Sequence, residues 1–341
     1  MTLSILSIPD ELSRKRRTWL VTGCAGFIGS HLLETLLANG QTVKGIDNFD
    51  TGRRENLDAV RARVGDKAFE NFTFVEGDVA DPALSQFMSD VEIILHQAAR
   101  GSVQRSIDDP LGTNHANVTG FLNVIKCACD TKLKALVYAS SSSVYGDNPD
   151  LPKQETNIGV QLSPYAASKR ADEIYAAAFS KLFAINVIGF RYFNVFGPRQ
   201  NPNGPYAAVI PTWLNDLKNG VPCTVFGDGT TSRDFCHVSN VVQANLRAAF
   251  YLERASGECH VLNVGGGRAT SLNRLYEIIC AAAGPFLTQK PGPVRYAPFR
   301  PGDISHSLAD ITKASELIGY EPQVTTEEGL TSLTQEWLSS S

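Results

Sequence analysis

The sequence predicts an α/β fold in which a doubly wound parallel sheet is followed by a smaller, mixed α/β lobe. As far as residue 197, short apolar segments of strand length alternate with segments of helical periodicity, which is typical of repeated strand–helix–strand units. Beyond residue 197, glycine and proline recur and the predicted elements become shorter. We therefore divide the 341-residue chain into an N-terminal extension with a short surface helix (1–17), a sheet domain (18–197) and a second lobe (198–341) that can cross back to the first.

The first strand–helix unit carries a glycine-rich loop. A strand at Thr18–Thr22 leads into Gly23-x-x-Gly26-x-x-Gly29, and a helix over Ser30–Asn39 follows. Gly23 permits a tight turn, Gly26 lets a pyrophosphate approach the backbone and the helix N-terminus, and Gly29 allows the helix to pack closely on the strand. The loop therefore predicts a dinucleotide site of the Rossmann type, although its spacing differs from the commoner G-x-G-x-x-G.

An acid ends the second predicted strand, Thr42–Asp47, about 20 residues beyond the loop. Asp47 is placed to accept hydrogen bonds from the adenosine ribose, and its charge would repel a 2′-phosphate. NAD is therefore the favoured cofactor, while Arg53 and Arg54 keep NADP as an alternative. Asp78 follows the next strand, where it either meets the adenine amino group or caps a turn.

The alternation of strands and helices gives about six parallel strands by residue 196. Ligands are expected beyond the carboxyl ends of such strands. The remaining predictions for the first domain are strands Phe72–Val75, Glu92–Leu95, Ala135–Ser140 and Asn186–Arg191 and helices Asp81–Ser89, Leu111–Asp130 and Tyr165–Phe183. Those for the second lobe are helices Ala207–Lys218, Asn240–Leu252 and Leu272–Ala282 and strands Cys223–Phe226 and His260–Val264.

The segment Ser163–Lys169 combines a helix start with a candidate acid–base pair. Ser163 can cap a helix, and Pro164 at the first helical position loses no hydrogen bond. Tyr165 and Lys169 are then spaced i, i+4, which puts them on one face. An adjacent ammonium favours the phenolate form of a phenol, so the pair can act as an acid–base catalyst near neutral pH. Taken alone, the same spacing also fits a chance pair on a solvated helix.

The composition favours a cytoplasmic protein without a metal site. The net charge is −4 and the pI about 5.9, which gives no electrostatic basis for binding nucleic acid or an anionic membrane. The 7 cysteines are scattered without metal-ligand spacing, so free thiols in a reducing compartment are expected. Residues 14–17 are basic but follow the apolar start, which is the wrong order for a signal peptide. No apolar run is long enough for a membrane span.

Together, the glycine loop, Asp47, the serine run 140–143 and Tyr165-x-x-x-Lys169 resemble the extended short-chain dehydrogenase/reductase family, from about residue 19 to about 330. The resemblance implies that Ser141, Tyr165 and Lys169 are catalytic. Dehydratases of this family carry acidic residues after the catalytic Ser or Thr, and UDP-glucuronate decarboxylases usually carry a Glu nearby. Serines and a valine, residues 142–144, stand there instead, which favours simple epimerisation.

The resemblance also implies which residues hold the NAD cofactor, at the glycine loop and the strand ends. The implied cofactor-binding residues are Gly23, Gly26, Phe27, Ile28, Gly29, Asp47, Asn48, Asp78, Val79, Gln97, Ala98, Ala99, Tyr165 and Lys169.

Segments in both halves resemble the substrate-binding segments of UDP-sugar 4-epimerases, above all the bacterial UDP-N-acetylglucosamine 4-epimerases of surface-polysaccharide pathways. The lobe 198–341 is then expected to bind a UDP-sugar, with Asn194, Arg233 and Arg300 holding its diphosphate and nucleoside. Arginine suits this role because its guanidinium makes bidentate contacts with phosphate. The implied substrate-binding residues are Ser102, Ser142, Ser143, Asn194, Ala208, Val209, Val225, Arg233, Arg300 and Ser307.

The choice of sugar depends, in this family, on a residue that lines the sugar pocket and aligns with Ser307. A small residue there admits an N-acetyl group, so UDP-N-acetylglucosamine and UDP-N-acetylgalactosamine are the expected pair. A UDP-glucose 4-epimerase and a UDP-uronic acid 4-epimerase remain alternatives, and Arg105 is a possible carboxylate partner in the latter. A non-catalytic NAD-sensing regulator is the alternative from a different class.

The resemblance further implies a homodimer in which the helices Leu111–Asp130 and Tyr165–Phe183 pair as a four-helix bundle. Two explanations are open for the apolar side of the first helix: it is either the face exposed for pairing or the face buried against the sheet. The residues on that side are Val118, Phe121, Leu122 and Ile125.

Overall fold

Buried apolar strands form one seven-stranded parallel sheet in the order β11-β6-β5-β4-β1-β2-β3. A computed structural model describes residues 7–133, 135–202, 207–287, 294–299 and 306–339. The predicted α/β class with a doubly wound parallel sheet is confirmed. The strands are β1 (Thr18–Thr22), β2 (Thr42–Asp47), β3 (Phe72–Glu76), β4 (Ile93–His96), β5 (Ala135–Ser141), β6 (Val187–Tyr192), β7 (Val195–Phe196), β8 (Thr224–Phe226), β9 (Ser232–Asp234), β10 (Cys236–His237), β11 (Cys259–Val264), β12 (Ala269–Ser271) and β13 (Arg295–Ala297).

Helices cover both faces of this sheet and build the second lobe. Among the described residues, no helix is long and apolar enough to cross a membrane. The helices are α1 (Ile8–Arg14), α2 (Phe27–Ala38), α3 (Arg54–Val64), α4 (Asp66–Phe69), α5 (Leu84–Phe87), α6 (Val103–Asp108), α7 (Pro110–Asn114), α8 (Gly120–Asp130), α9 (Pro164–Phe183), α10 (Val209–Lys218), α11 (Val238–Leu252), α12 (Leu272–Ala283), α13 (Thr312–Ile318) and α14 (Thr326–Ser339).

The two faces of the sheet have separate hydrophobic cores because successive strand residues point to opposite sides. On β5, Leu136 and Tyr138 pack with α8 and α9, whereas Val137 packs with α2, α3 and α11. Every residue of β4 and β6 is buried, as expected for a parallel sheet covered on both faces. Phe121 and Ile125 of α8 are fully buried in the first of these cores, so burial against the sheet explains these two residues, while Val118 and Leu122 are half-buried.

The chain returns to the sheet after residue 197. Helix α11 covers one face of the sheet, and β11 pairs with β6 as its seventh strand. The second lobe has a core of its own between α10, α12 and α14, centred on Trp213. The division into two domains at residue 197 stays a prediction, and the strand at 259–264 belongs to the large sheet rather than to a separate sheet of the lobe.

The predicted helix Leu111–Asp130 forms without a break, but it contains a π-helical turn that the sequence did not indicate. The structure has α7, then a π-helical turn at His115–Thr119, then α8, and an unpredicted helix α6 precedes them. The side chain of Asn117 bonds the backbone of Arg100 and the hydroxyl of Ser168, and such π-turns often occur at functional sites. Helix α5 is also shorter than the predicted Asp81–Ser89.

The N-terminal helix α1 is held against the sheet domain. Leu12 is buried in the core that contains α11. Arg17 pairs with Glu253 at the end of α11 with Nη2 to Oε2 at 2.8 Å, and Glu11 pairs with Arg254 at 2.6 Å. These contacts anchor residues 8–17 to the helix that covers the sheet.

Candidate active site

The glycine loop between β1 and α2 is packed so closely that it excludes side chains at two positions. A Cβ added at Gly29 would lie 2.0 Å from the carbonyl oxygen of Gly23. Gly23 itself has a φ of +68°, and a Cβ there would lie 2.8 Å from the backbone nitrogen of Ala98. The loop therefore leaves a shallow cradle of backbone at the N-terminus of α2, which suits a diphosphate.

A cavity of about 360 Å³ opens beside this loop at the carboxyl ends of the strands. Ser141 lines it together with every residue of the predicted cofactor-binding set, from the glycine loop through the ends of β2, β3 and β4 to the first turns of α9. The structure thus brings the predicted catalytic and cofactor residues together, and their individual roles stay predictions. The lining includes Gly23, Gly26, Phe27, Ile28, Gly29, Asp47, Asn48, Asp78, Val79, Gln97, Ala98, Ala99, Ser141, Tyr165 and Lys169.

The acid at the end of β2 is held in one orientation by backbone donors. Ala25 donates its N–H to Oδ2 of Asp47 at 2.9 Å, and Phe49 donates to Oδ1 at 2.8 Å. Burial raises the pKa of Asp47, and these backbone hydrogen bonds oppose the rise. Asp78 accepts the N–H of Ala80 at 2.8 Å, which closes a turn, and it lines the cavity. Its contact with the adenine amino group stays a prediction.

The predicted catalytic residues come from two neighbouring elements. Ser141 ends β5, and its Oγ accepts the N–H of Ser143 at 3.1 Å. Helix α9 begins at Pro164 because Ser163 caps it, accepting the N–H of Ala166 at 3.1 Å. The first two turns of α9 then place Tyr165 and Lys169 on the cavity wall. Tyr165 is half-buried and Lys169 is buried.

A buried ion pair fixes α9 against the strand that carries Ser141. Arg191 of β6 donates Nε and Nη2 to the two carboxylate oxygens of Glu173, each at 2.9 Å, and Ser140 donates its hydroxyl to Oε1 at 2.7 Å. Burial would raise the pKa of Glu173, but the hydrogen bonds, led by that from Arg191, lower it overall. The carboxylate therefore ties β5, β6 and α9 together directly beneath the catalytic residues.

The predicted substrate residues are only partly brought together. A second cavity, of about 530 Å³, is lined by Asn194, Val209 and Arg233, and also by Arg295, which the sequence analysis did not single out. Val225 faces the core of the second lobe, since side chains alternate along β8.

The other predicted substrate residues that the structure describes line neither cavity. Ala208 is the N-cap residue of α10, next to Val209 of the second cavity. Ser102 caps α6, and Ser142 begins a short 3₁₀ turn after β5. The hydroxyl of Ser143 is buried without a hydrogen-bond partner among the described residues. Arg300 lies outside the described residues.

Ser307 belongs to a segment that is tied to β9. Its backbone N–H donates to the carbonyl of Ser232 at 3.1 Å, and the ring of His306 bonds the Ser232 hydroxyl at 2.8 Å. Asp234, at the end of the same strand, accepts the N–H of Ala309 at 3.1 Å. The hydroxyl of Ser307 is buried and has no partner among the described residues.

An ion-pair bridge that the sequence analysis missed links two walls of the first cavity. Arg100 donates Nε and Nη2 to the carboxylate of Asp50 at 2.7 and 2.9 Å and Nη1 to Asp109 at 2.6 Å. Asp50 follows β2 and Arg100 follows β4, and both line the cavity. The only sequence signal was that both residues follow the carboxyl ends of strands, and their pairing depends on the folded loops.

Residues 19–265 match the NAD dependent epimerase/dehydratase family. The chain belongs to this family. A similar curated protein is the UDP-glucose 4-epimerase of Mycolicibacterium smegmatis, which is 38% identical over 314 residues, covering 91% of this chain and 95% of the relative. Family membership confirms the resemblance inferred from the glycine loop, Ser141 and the Tyr165–Lys169 pair.

Two solved structures are similar over nearly the whole chain. The UDP-N-acetylglucosamine 4-epimerase from Methanobrevibacter ruminantium in complex with UDP-N-acetylmuramic acid has a TM-score of 0.85 and 35% identity, covering 95% of this chain and 98% of its own. A variant of the UDP-glucuronic acid 4-epimerase from Bacillus cereus, in complex with a fluorinated substrate analogue and NAD, has a TM-score of 0.83 and 28% identity, covering 95% and 99%. The comparisons identify this chain as an isomerase that uses NAD, as the sequence predicted.

The residues present fit NAD. The closely packed glycines leave backbone N–H groups at the start of α2 accessible to a diphosphate. Asp47 carries a carboxylate at the position where a ribose is expected, and this charge would repel a 2′-phosphate. Gly52 approaches Asp47 so closely that an added Cβ would lie 2.7 Å from Oδ1.

Substitution of Gly29 by alanine should expel the cofactor. The added Cβ meets the Gly23 carbonyl at 2.0 Å, and the forced shift costs about 1–3 kcal/mol, which corresponds to a loss of NAD retention of about 5- to 150-fold. The measurement is the amount of NAD per chain after gel filtration. Gly101→Ala is the matched control, because a Cβ there meets nothing within 4 Å although Gly101 also lines the cavity. Equal NAD content in the two variants would contradict the close-packing argument.

Removing the bridge across the cavity should speed the loss of NAD without unfolding the protein. Arg100→Gln removes the charge that links the loops after β2 and β4, and a partly exposed pair of this kind contributes about 1 kcal/mol, equivalent to about a fivefold faster release. The measurement is NAD remaining on the protein against time after desalting. Arg54→Gln, which breaks the exposed pair with Glu76, is the control. Identical release rates would show that the bridge does not retain the cofactor.

Proposed function

We propose that the protein is a UDP-sugar 4-epimerase that interconverts UDP-N-acetylglucosamine and UDP-N-acetylgalactosamine. The observation that carries the proposal is the convergence of Ser141, Tyr165 and Lys169 with the glycine loop on one cavity. The side chains at 142 and 143 are serines, so the acid that a dehydratase uses to expel water is missing at these positions. Supply of precursors for surface polysaccharides is the expected role.

The side chains on the cavity wall suit proton movement at the sugar 4-OH. Tyr165 takes the proton from this hydroxyl and returns it at the end of the turnover. Ser141 hydrogen-bonds the same oxygen, and the Lys169 ammonium stabilises the phenolate. NAD, when bound, accepts the C4 hydride and gives it back. Inversion requires that the sugar turns over between these two transfers, so the diphosphate has to be held more firmly than the sugar.

The lining of the second cavity suits firm binding of the diphosphate. Arg233 and Arg295 line it together with Asn194, and two guanidinium groups are suited to a diphosphate. Arg300, which was also predicted to hold the diphosphate and nucleoside, lies outside the described residues. We therefore assign the diphosphate and nucleoside to this second cavity and the sugar to the space between it and Tyr165.

The N-acetylated sugar is favoured by Ser307. A small side chain leaves room for an acetamido group, and the unpartnered hydroxyl of Ser307 can bond it. The similarity to a UDP-N-acetylglucosamine 4-epimerase supports this choice. The similarity to UDP-glucose and UDP-glucuronic acid 4-epimerases supports those sugars as second candidates.

The assay is direct. Protein carrying its own NAD should convert UDP-N-acetylglucosamine to UDP-N-acetylgalactosamine until the two reach equilibrium, as followed by the anomeric proton signals in NMR. UDP-glucose, UDP-glucuronic acid and UDP-N-acetylglucosaminuronic acid are run in parallel, and slower turnover of all three is expected. Faster conversion of any of them would overturn the assignment of the substrate.

The matched variants test the assigned base. Tyr165→Phe should reduce turnover by at least about 10²-fold because it removes the acid–base group. Tyr175→Phe, on the same helix but 37% exposed, should leave turnover unchanged. Retained activity in Tyr165→Phe would remove Tyr165 from the mechanism.

We further propose that the protein is a homodimer in which α7 and α9 of two copies pair. An apolar face is exposed on these helices: Leu111 is 82% exposed, Ile174 55% and Leu182 73%. Of the residues named for pairing, Phe121 and Ile125 face the sheet, whereas Val118 and Leu122 are half-buried. The most exposed apolar side chains therefore lie on α7 and α9. Four helices, two from each copy, would bury it.

A charge introduced into the exposed apolar face of α9 should produce a monomer. Ile174→Glu places a charge in the proposed interface, and light scattering after gel filtration should report a single chain of 37.0 kDa where the unaltered protein gives a dimer. Val221→Glu, at an exposed apolar position of the second lobe, is the control and should remain dimeric. A monomeric unaltered protein would reject the dimer.

A further inference from the structure

The carboxylate of Asp172 is buried beside Lys169, on the helix that also carries Tyr165. Asp172 is three residues beyond Lys169 on α9, and its Oδ2 lies 3.3 Å from Nζ of Lys169. The two side chains are only 1% and 2% exposed. The second oxygen, Oδ1, is buried and has no hydrogen-bond partner among the described residues. The pair therefore occupies a layer between the helix and the sheet from which water is largely excluded.

The other groups around this pair do not supply a balancing charge. His96 is held neutral, since burial and then the Lys169 charge lower its pKa to about 3. Burial raises the pKa of Tyr138 well above its ordinary value. Glu173 and Arg191 neutralise each other. The charged and titratable groups that act on Asp172 are Lys169 and Glu173 from α9 and Tyr138 from β5. His96 from β4 faces Lys169, and Glu173 is paired with Arg191 from β6 and Arg170 from α9.

A buried ammonium needs a counter-charge, because desolvation otherwise favours loss of its proton. Within the described part of the chain, the ion pair that Lys169 makes is the one with Asp172. Burial raises the pKa of Asp172 to about 7, against the opposing pull of Lys169. Asp172 is therefore increasingly charged as the pH rises through neutrality. Over the same rise in pH, a buried lysine without a counter-charge would lose its proton more readily.

We propose that Asp172 is a positioning residue for epimerisation, which keeps the Lys169 ammonium charged and oriented toward Tyr165 at and above neutral pH. Asp172 acts through Lys169 and does not itself touch the substrate. The inference rests on the proposed role of Tyr165 as acid and base and is independent of which sugar is bound. It assigns a function to a buried carboxylate that the mechanism does not otherwise use.

The test compares the pH dependence of variants. In Asp172→Asn, Lys169 loses its counter-charge, and the basic limb of kcat against pH should move to lower pH by about one to two units. Asp172→Glu keeps the charge and should keep the limb close to that of the unaltered protein. Asp130→Asn breaks the exposed pair with Lys126 on α8 and is the matched control, with no shift expected. A uniform fall in kcat without a shifted limb would reduce Asp172 to a structural role and overturn the proposal.

A second readout needs no substrate. Protein with ¹³C-labelled lysine reports the ionisation of Lys169 by NMR, and Lys169→Met identifies its signal. The signal should titrate at lower pH in Asp172→Asn than in the unaltered protein, and Asp172→Ser provides a second neutral variant if the first fails to fold. An unchanged titration would overturn the proposal even in an active enzyme. A shifted titration in a protein that converts no UDP-sugar would instead count against the proposed function alone.

Discussion

The buried ion pair between Glu173 and Arg191 links the elements that carry the predicted catalytic residues. Glu173 lies on the helix that carries Tyr165 and Lys169, Arg191 lies on β6, and Ser140 links the same carboxylate to the strand that ends in Ser141. Loss of Glu173 would leave the buried Arg191 guanidinium uncompensated inside the protein, at a cost of about 3–5 kcal/mol. The relative position of strand and helix at the cavity therefore depends on this one pair.

Two further ion pairs each place a carboxylate next to a cationic side chain of the first cavity. Lys169 and Arg100 line it, and each has an acid beside or behind it: Asp172 for the first, Asp50 for the second. Each of these two cationic groups on the cavity wall is thus paired with a carboxylate. Such an arrangement limits the desolvation cost that isolated cations would impose on the fold.

The parts of the fold and site that depend on local sequence could be predicted. The glycine loop, the strand ends and the Ser163 cap are each encoded within a few neighbouring residues, and the cavity lining agrees with them. The π-turn around Asn117 could not be predicted, because it follows from contacts with Arg100 and Ser168 across the fold.

Asp172 is another residue whose surroundings could not be predicted from the sequence. Its spacing from Lys169 was visible in the sequence, but an acid in a helix ordinarily faces water, and its burial depends on β4, β5 and α9 packing together. Val225 illustrates the converse, because a short strand gives no signal for which of its sides meets the ligand. Residues that act through tertiary packing are therefore the ones that sequence patterns miss.

The path of the chain between the two cores has a consequence for how this architecture can be cut and recombined. After β6 the chain enters the second lobe and returns to the sheet through α11 and β11. It then leaves for α12 in the lobe and returns at α13, where Ala314 and Ile318 join the sheet core. It ends in α14 on the lobe. No single break in the backbone separates one core from the other. A lobe borrowed from a relative would have to be grafted as several discontinuous stretches, so new sugar preferences are more readily reached by point changes within the lobe than by exchanging it whole.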